Sequence, residues 1–408
     1  MKCDMSWEPI LPFDVTFLER EISTVDLALA HSQDHSLFDG KSGLILLNYY
    51  AYKSSQNDNY MLRVEQLLEE SIDDFEDNRY PLNFYAGIIG LGWCINCLIK
   101  EDCKTFSFLE EWTKNIDEVC HLLIQQKINE LPLDIHYGLL GIGLYLLEKR
   151  VVPKLLLESI VLKIKERSIL TASGVTWPDY VGMKNRNTSE LEYSLGFHYG
   201  VCGILSFLYR CHQADIKPEV CKELILSSCG WMFRLKSDFN FTNTFYPEEI
   251  NKDGIYIPSS RLWSSSELSI MIIFLLSGLK FDQKELEIQS SKILERSALQ
   301  HSLSVMRDHD GPLHNQGLLY GYSGALLSYN YFYQQTKVPL AKELALSCYN
   351  ALIKLIQEKN YFDPYARKWI RDHSLANGSI GIYLTILSGM SKTPPCWIQG
   401  FHLPLEIV

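Results

Sequence analysis

Carboxylates, imidazoles and phenols collect at one kind of place in this sequence, just ahead of glycines that open apolar runs. His-Tyr-Gly occurs twice, at 136–138 and 198–200, and Asp134 stands two residues before the first copy. Asp39, Tyr137, Tyr199, Tyr320, His373 and Asn377 hold related positions before the same or other glycines. An acid, an imidazole and a phenol are the groups that general acid–base catalysis uses, because burial and neighbours move their pKa values towards neutrality. The same residue types also cap helices, and an Asp beside a helix N-terminus is stabilising without any catalysis. Both roles stay open for these residues on type and spacing alone.

Other motifs fare worse as chemistry. Cys94 and Cys97 form a Cys-x-x-Cys, but they sit inside an apolar run, where core packing is the expected role. "DHDGPLH", 308–314, has metal-friendly residues, yet its Asp-Gly and Gly-Pro steps mark a turn. "GIGLYLLEKR", 141–150, follows no strand and is not a dinucleotide fingerprint.

The elements that must position the polar set form an internal repeat. Gly-x-x-Gly followed by a long apolar run begins at Gly40, Gly87, Gly138, Gly200, Gly321 and Gly378, and a degenerate copy, "SSSELSIMIIFL", begins at Ser264 with Ser266 in the glycine place. The steps are 47, 51, 62, 66, 55 and 57 residues. Amphipathic stretches of helical period lie between the copies. Examples are Phe108, Leu109, Trp112, Ile116, Val119 and Leu123, and Leu344, Cys348, Ala351, Leu352 and Leu355. Alternating strand patterns are nearly absent. The prediction is an all-α chain of seven outer amphipathic and seven inner buried helices, a single domain over 1–408. Glycine at each inner helix start is expected to let crowded backbones approach. The loops before the glycines open at one end, towards which the partial positive charge of the helix N-termini points. Two of them, 170–198 and 237–262, are long enough to be binding elements.

Bulk properties limit the partners. The net charge of −11, with no basic block, argues against a nucleic-acid surface. No run approaches the ~18 apolar residues of a membrane span. The start, "MKCDMSWEPILPFD", lacks the apolar region of a signal peptide. Eleven cysteines without framework spacing read as reduced thiols in a cytoplasmic protein.

The repeats, from about Trp7 to about Leu387, resemble the lanthionine synthetase C-like family, an α/α toroid with Gly-x-x-Gly at each inner helix. The resemblance implies enzymes that close thioether rings in ribosomally made peptides, with zinc holding a substrate cysteine as thiolate for addition to a dehydroamino acid. It also implies zinc ligands from a Trp-Cys-x-Gly motif and a Cys-His-Gly motif. Here Trp263 matches the first motif, which puts its cysteine at Ser264 and its glycine at Ser266. "LLYGYSG" matches the second, which puts Leu319 at its cysteine and Tyr320 at its histidine. No metal ligand set is expected, and hence no zinc cofactor. Asp134 falls on the family's catalytic aspartate. Tyr199 falls on a functional histidine, with His198 one residue early.

Three functions follow as expectations. The first is a peptide-binding scaffold or degenerate cyclase in the maturation of a lantibiotic-type peptide, with the precursor peptide and other maturation enzymes as partners. The second is a metal-free enzyme using Asp134, His198 and Tyr199 as catalytic groups, with His136, Tyr137, Trp263, Ser264, Tyr320 and Asn377 contacting substrate. The third is a carbohydrate-active helical barrel with paired carboxylates, disfavoured by the few acids at the mouth.

Overall fold

In a computed structural model the described residues are 7–12, 15–77, 80–179, 192–236, 244–251, 254–258, 267–304, 316–357, 362–363, 368–369, 372–392 and 394–405. Amphipathic and buried helices alternate along them. The amphipathic helices are α1 (Val15–Leu29), α3 (Asp58–Asp77), α6 (Glu110–Lys127), α8 (Lys154–Glu166), α10 (Pro218–Arg234), α12 (Lys284–Ser304) and α14 (Pro339–Gln357). The buried ones are α2 (Lys41–Ser55), α4 (Ile88–Glu101), α7 (Leu139–Leu147), α9 (Val201–Gln213), α11 (Glu267–Phe281), α13 (Tyr322–Thr336) and α15 (Ser379–Met390). A short α5 (Cys103–Phe106) precedes α6. Each buried helix begins at a predicted repeat, and all nine residues of α7 are buried.

The buried stripe of α6 differs in detail from the expectation. Thr113, Ile116, Cys120 and Ile124 form it, at steps of three and four residues, while Phe108 is exposed. Phe108 lies in a short helical turn at 107–109, between α5 and α6, and so falls outside the period of α6. On α14, Leu344, Cys348 and Leu352 are buried as the period requires.

The chain divides into two compact units. One holds Met1–Cys94 and His301–Trp397, and the other Ile95–Ser260, Ser264–Gln300 and Ile398–Val408. In the first, α15 packs on α2 and α13, and the pairs α2/α3 and α13/α14 form helical hairpins. In the second, α9 touches α7, α10 and α11. Cys94 and Cys97 are buried in α4, and ten cysteines are free among the described residues.

Short strands, which the sequence pattern does not announce, lie in the long loops. β1 (Ile169–Thr171) pairs with β2 (Gly174–Thr176) as a hairpin. β3 (Tyr193–Ser194), β4 (Pro247–Ile250) and β5 (Tyr256–Pro258) form one antiparallel sheet, which joins the two predicted binding loops. β6 (Phe362–Asp363) and β7 (Lys368–Trp369) form a last hairpin. Strands of two to four residues are too short to show an alternating pattern.

Candidate functional site

The turn ahead of each buried helix is built the same way. In "LFDG", "FYAG", "IHYG" and "FHYG", an apolar residue three before the glycine is buried: Leu37, Phe84, Ile135 and Phe197. The glycine then sets the N-cap in an extended conformation, with φ between −111° and −134° at Gly40, Gly138, Gly200, Gly321 and Gly378. Any residue adopts such a φ, so the glycine answers a need for space. A Cβ on Gly40, Gly87, Gly138 or Gly200 would run into the carbonyl six residues upstream, of Asp34, Pro81, Pro132 or Ser194. In three of these repeats that same carbonyl accepts the first N–H of the helix, from Lys41 at 2.9 Å, Ile88 at 3.1 Å and Leu139 at 2.9 Å. The close approach is therefore within each turn, where the sequence reading placed it between helices.

The residue four before the glycine caps the turn. Asp134 Oδ1 accepts the N–H of Tyr137 at 2.8 Å, as Asn83 Oδ1 accepts that of Ala86 at 2.8 Å and Ser374 Oγ that of Asn377 at 3.1 Å. Asp134 also accepts the N–H of His136. Its carboxylate thus turns to its own backbone, and among the described residues no hydrogen bond joins it to an imidazole or phenol. Its Oδ2 is buried and has no hydrogen-bond partner among the described residues. Burial raises its pKa to about 6, against the lowering effect of the two N–H groups, and Asp179 nearby adds to the rise.

The two His-Tyr-Gly turns converge. Ile135 N–H donates to the His198 carbonyl at 3.5 Å, which sets the two turns side by side. Equivalent places in the turns put both imidazoles inward: His136 Nε2 and His198 Nδ1 are 3.0 Å apart. His136 Nδ1 lies 2.6 Å from the hydroxyl of Tyr199, which is half-buried. One phenol at the edge is therefore joined through one imidazole to a second. His198, read from sequence as one residue early, holds the same position in its turn as His136. Tyr137 is 48% exposed, with its ring edge-on to His136 at 6.0 Å.

Electrostatics keep this pair neutral. Burial lowers His136 well below the ordinary histidine value, and His198 and His402 act in the same direction. Burial takes His198 down to about 3. The Tyr199–His136–His198 series can pass a proton but does not store charge.

Three features of the same unit escaped the sequence reading. Glu148 is fully buried between Lys100, at 3.0 Å, and Arg210 of α9, whose guanidinium also donates to the Gln399 carbonyl at 3.3 Å. Burial alone would raise the Glu148 pKa, but Lys100 and Arg210 hold it low. Glu267, at the start of α11, accepts the N–H of Phe245 at 2.7 Å and that of Tyr246, and so ties the β4 segment to the degenerate repeat. Burial pushes its pKa up to about 7, and its Oε1 has no partner among the described residues. Only an acid inside an apolar run hinted at this role. His402, near the C-terminus, lies against His198 with ring centroids 6.3 Å apart. No repeat or helical period marks it.

The remaining candidates divide. Trp263, Ser264 and 308–314 lie outside the described residues. Tyr320, Asn377, Asp39 and His373 belong to the other unit. There Leu319 N–H donates to the Ala376 carbonyl at 2.9 Å, and Leu375 N–H to that of Phe38 at 2.7 Å. Tyr320 and Asn377 are half-buried. His373 lines a cavity of about 540 Å³ with Phe17, Arg20, Glu21, Ser379 and Tyr383. Leu319, in the place of a zinc-ligating cysteine, is aliphatic and buried, so the described donors do not fit the zinc site that the resemblance implies.

Comparison with known proteins gives this geometry a setting. No curated protein sequence matches the chain. Among solved structures a nisin cyclase matches with a TM-score of 0.72 and 16% identity, covering 95% of this chain and 97% of that one. That likeness shows the fold, an all-α chain of the α/α-toroid class. An inactive variant of the α-1,6-mannanase GH76A of Salegentibacter sp. HEL1_6, in complex with α-1,6-mannotetrose, matches with a TM-score of 0.45 and 9% identity over 93% of this chain and 98% of that one, too loosely to bear on function. Among the described residues no helix is long and apolar enough to cross a membrane. The model of lanthionine synthetase C-like proteins matches residues 31–399, and the chain belongs to that family.

Proposed function

We propose that this protein acts in the maturation of a ribosomally made peptide, as a metal-independent member of its family. In this reading it binds the precursor peptide and promotes addition of a cysteine thiol to a dehydroamino acid through Tyr199 and His136. The observation that carries this is the 2.6 Å contact between the half-buried Tyr199 hydroxyl and His136 Nδ1, continued to His198 at 3.0 Å. Addition of R–SH across a dehydroalanine C=C forms one C–S bond and places the thiol proton on Cα. It needs one proton taken and one returned, with no net change in the protein.

The Tyr199 hydroxyl takes the thiol proton as it gives its own to His136 Nδ1. His136 passes charge towards His198 through Nε2, and reversal of the same transfers protonates the Cα carbanion. Because burial disfavours charge on both imidazoles, the proton is returned within the step. Leu319 and Tyr320 supply no zinc site of the family's type, so no step is routed through a metal.

A second reading, peptide binding without turnover, also rests on Leu319 standing where the family has a ligand. One experiment separates them. A synthetic peptide with one cysteine and one dehydroalanine is incubated with the full-length protein and a zinc chelator, and free thiol is followed by alkylation. Loss of thiol faster than in buffer supports the acid–base reading. Retention of the peptide on the protein with thiol loss at the buffer rate supports the scaffold.

A further inference from the structure

His402 is an awkward choice for its place. The chain ends its last helical turn (Cys396–Phe401) with His402 at φ 63°, the left-handed position after a helix that glycine fills most easily. Leu403 N–H closes the turn on the Ile398 carbonyl at 3.2 Å. From α9, Ser206 Oγ donates to the His402 carbonyl at 2.7 Å, and Arg210 holds the Gln399 carbonyl. The backbone is thus fixed by groups that any residue would satisfy.

The side chain is no better suited. His402 is 0% exposed, and neither ring nitrogen has a hydrogen-bond partner among the described residues. Burying such groups unsatisfied is unfavourable, and an aliphatic side chain would avoid it. What the ring does meet is specific. It lies parallel to Phe197, at 10° and 5.7 Å between centroids, and its edge meets His198 at 76°. A Cβ on Gly203 would lie 3.5 Å from His402 Cε1, in ordinary van der Waals contact, so α9 packs directly on the ring. Phe401 adds a second edge contact to His198 at 6.5 Å. A residue that both backbone and burial disfavour, set against a candidate site, has the signature of a functional position.

We infer that His402 is a positioning residue: the C-terminal turn seats its ring between Phe197 and His198 and so holds His198 in line with His136 and Tyr199. The chain's own C-terminal segment is then part of the site. The inference rests on the acid–base reading of those three residues, and it is tested without turnover.

The test compares two full-length variants by NMR of the histidine side chains, with the His136 signals assigned through H136Q. His402→Gly suits the left-handed backbone and removes the ring, whereas His402→Phe keeps an aromatic ring without nitrogen. In the wild type, His136 should show one tautomer and protected, downfield protons for its bonds to Tyr199 and His198. H402G should still melt cooperatively, below the wild type because removal of a fully buried ring leaves a cavity, yet lose those protons and average the His136 tautomers. H402F should keep both features. Retention of the protons in H402G, or their loss in a folded H402F, overturns the inference. An H402G that no longer melts cooperatively overturns the backbone argument on which it stands. Because the readout is hydrogen bonding, failure here leaves the peptide assay to judge the acid–base reading separately.

Discussion

Asp134 and Asn83 do the same work in two different repeats, each accepting at 2.8 Å the N–H three residues further on, from Tyr137 and Ala86. An amide serves this turn as well as a carboxylate. The charge of Asp134 is therefore surplus to the cap, and the environment works against it.

That surplus gives a pH signature. Asp134 is raised to about 6 in the folded chain, above an unfolded value near 3.9. The unfolded chain releases the proton more readily, so stability is fully present below about pH 4 and is lost as the pH rises through about 6. Asp134→Asn removes the titration. Relative to wild type, the variant should gain about 2–3 kcal/mol between pH 4 and pH 7 in urea unfolding. A pH-independent difference would show that the carboxylate is not held in a dehydrated place.

Glu267 couples the β4 segment to α11 through the N–H groups of Phe245 and Tyr246. Glu267→Ala should cost about 1–3 kcal/mol and speed hydrogen exchange in 244–251. Glu267→Gln keeps an acceptor and should protect that segment nearly as well. Its advantage should grow as the pH rises through 7, where ionisation of a group raised to about 7 works against the folded state. Equal exchange in wild type and E267A would remove the anchor role.

Glu148 and Arg210 form a charge pair with almost no solvent access, at 0% and 5% side-chain exposure. Glu148→Ala leaves the guanidinium buried beside the Gln399 carbonyl without its main partner. The expected cost is about 3–5 kcal/mol in chemical unfolding. The double change to methionines should cost less than the single one, because it removes both charges together. A double variant less stable than E148A would contradict this.

The sequence carried the fold because its signals are local. Gly138 and Gly200 mark helix starts through the space that their own turns need, and stripes such as Leu344, Cys348 and Leu352 mark faces through the helical period. The strands β3 and β4 stayed hidden because two to four residues carry no period. Of the site, His136, His198 and Tyr199 were legible as residues, since they repeat a motif. Their contacts were not, because the pairing of two turns 62 residues apart depends on how the helices pack. Asp134 was legible as a position, but its orientation was not, since the same oxygen serves a cap or a catalyst. His402 carried no signal at all, since it is placed by tertiary contacts such as those with Ser206, Phe197 and His198.

The central claim is that Tyr199 and His136 handle the proton of the substrate thiol without zinc. It is tested most directly by the rate of thiol loss from the cysteine–dehydroalanine peptide, with chelator present, for wild type, Tyr199→Phe and His136→Gln. Both variants keep size, and melting curves confirm that the fold survives. The account predicts that each variant slows the protein-dependent rate about 100-fold or more, and that the double variant is no slower than the worse single one, since the two act as one unit. Wild-type and variant rates that agree within a factor of two, at equal peptide occupancy, would contradict it.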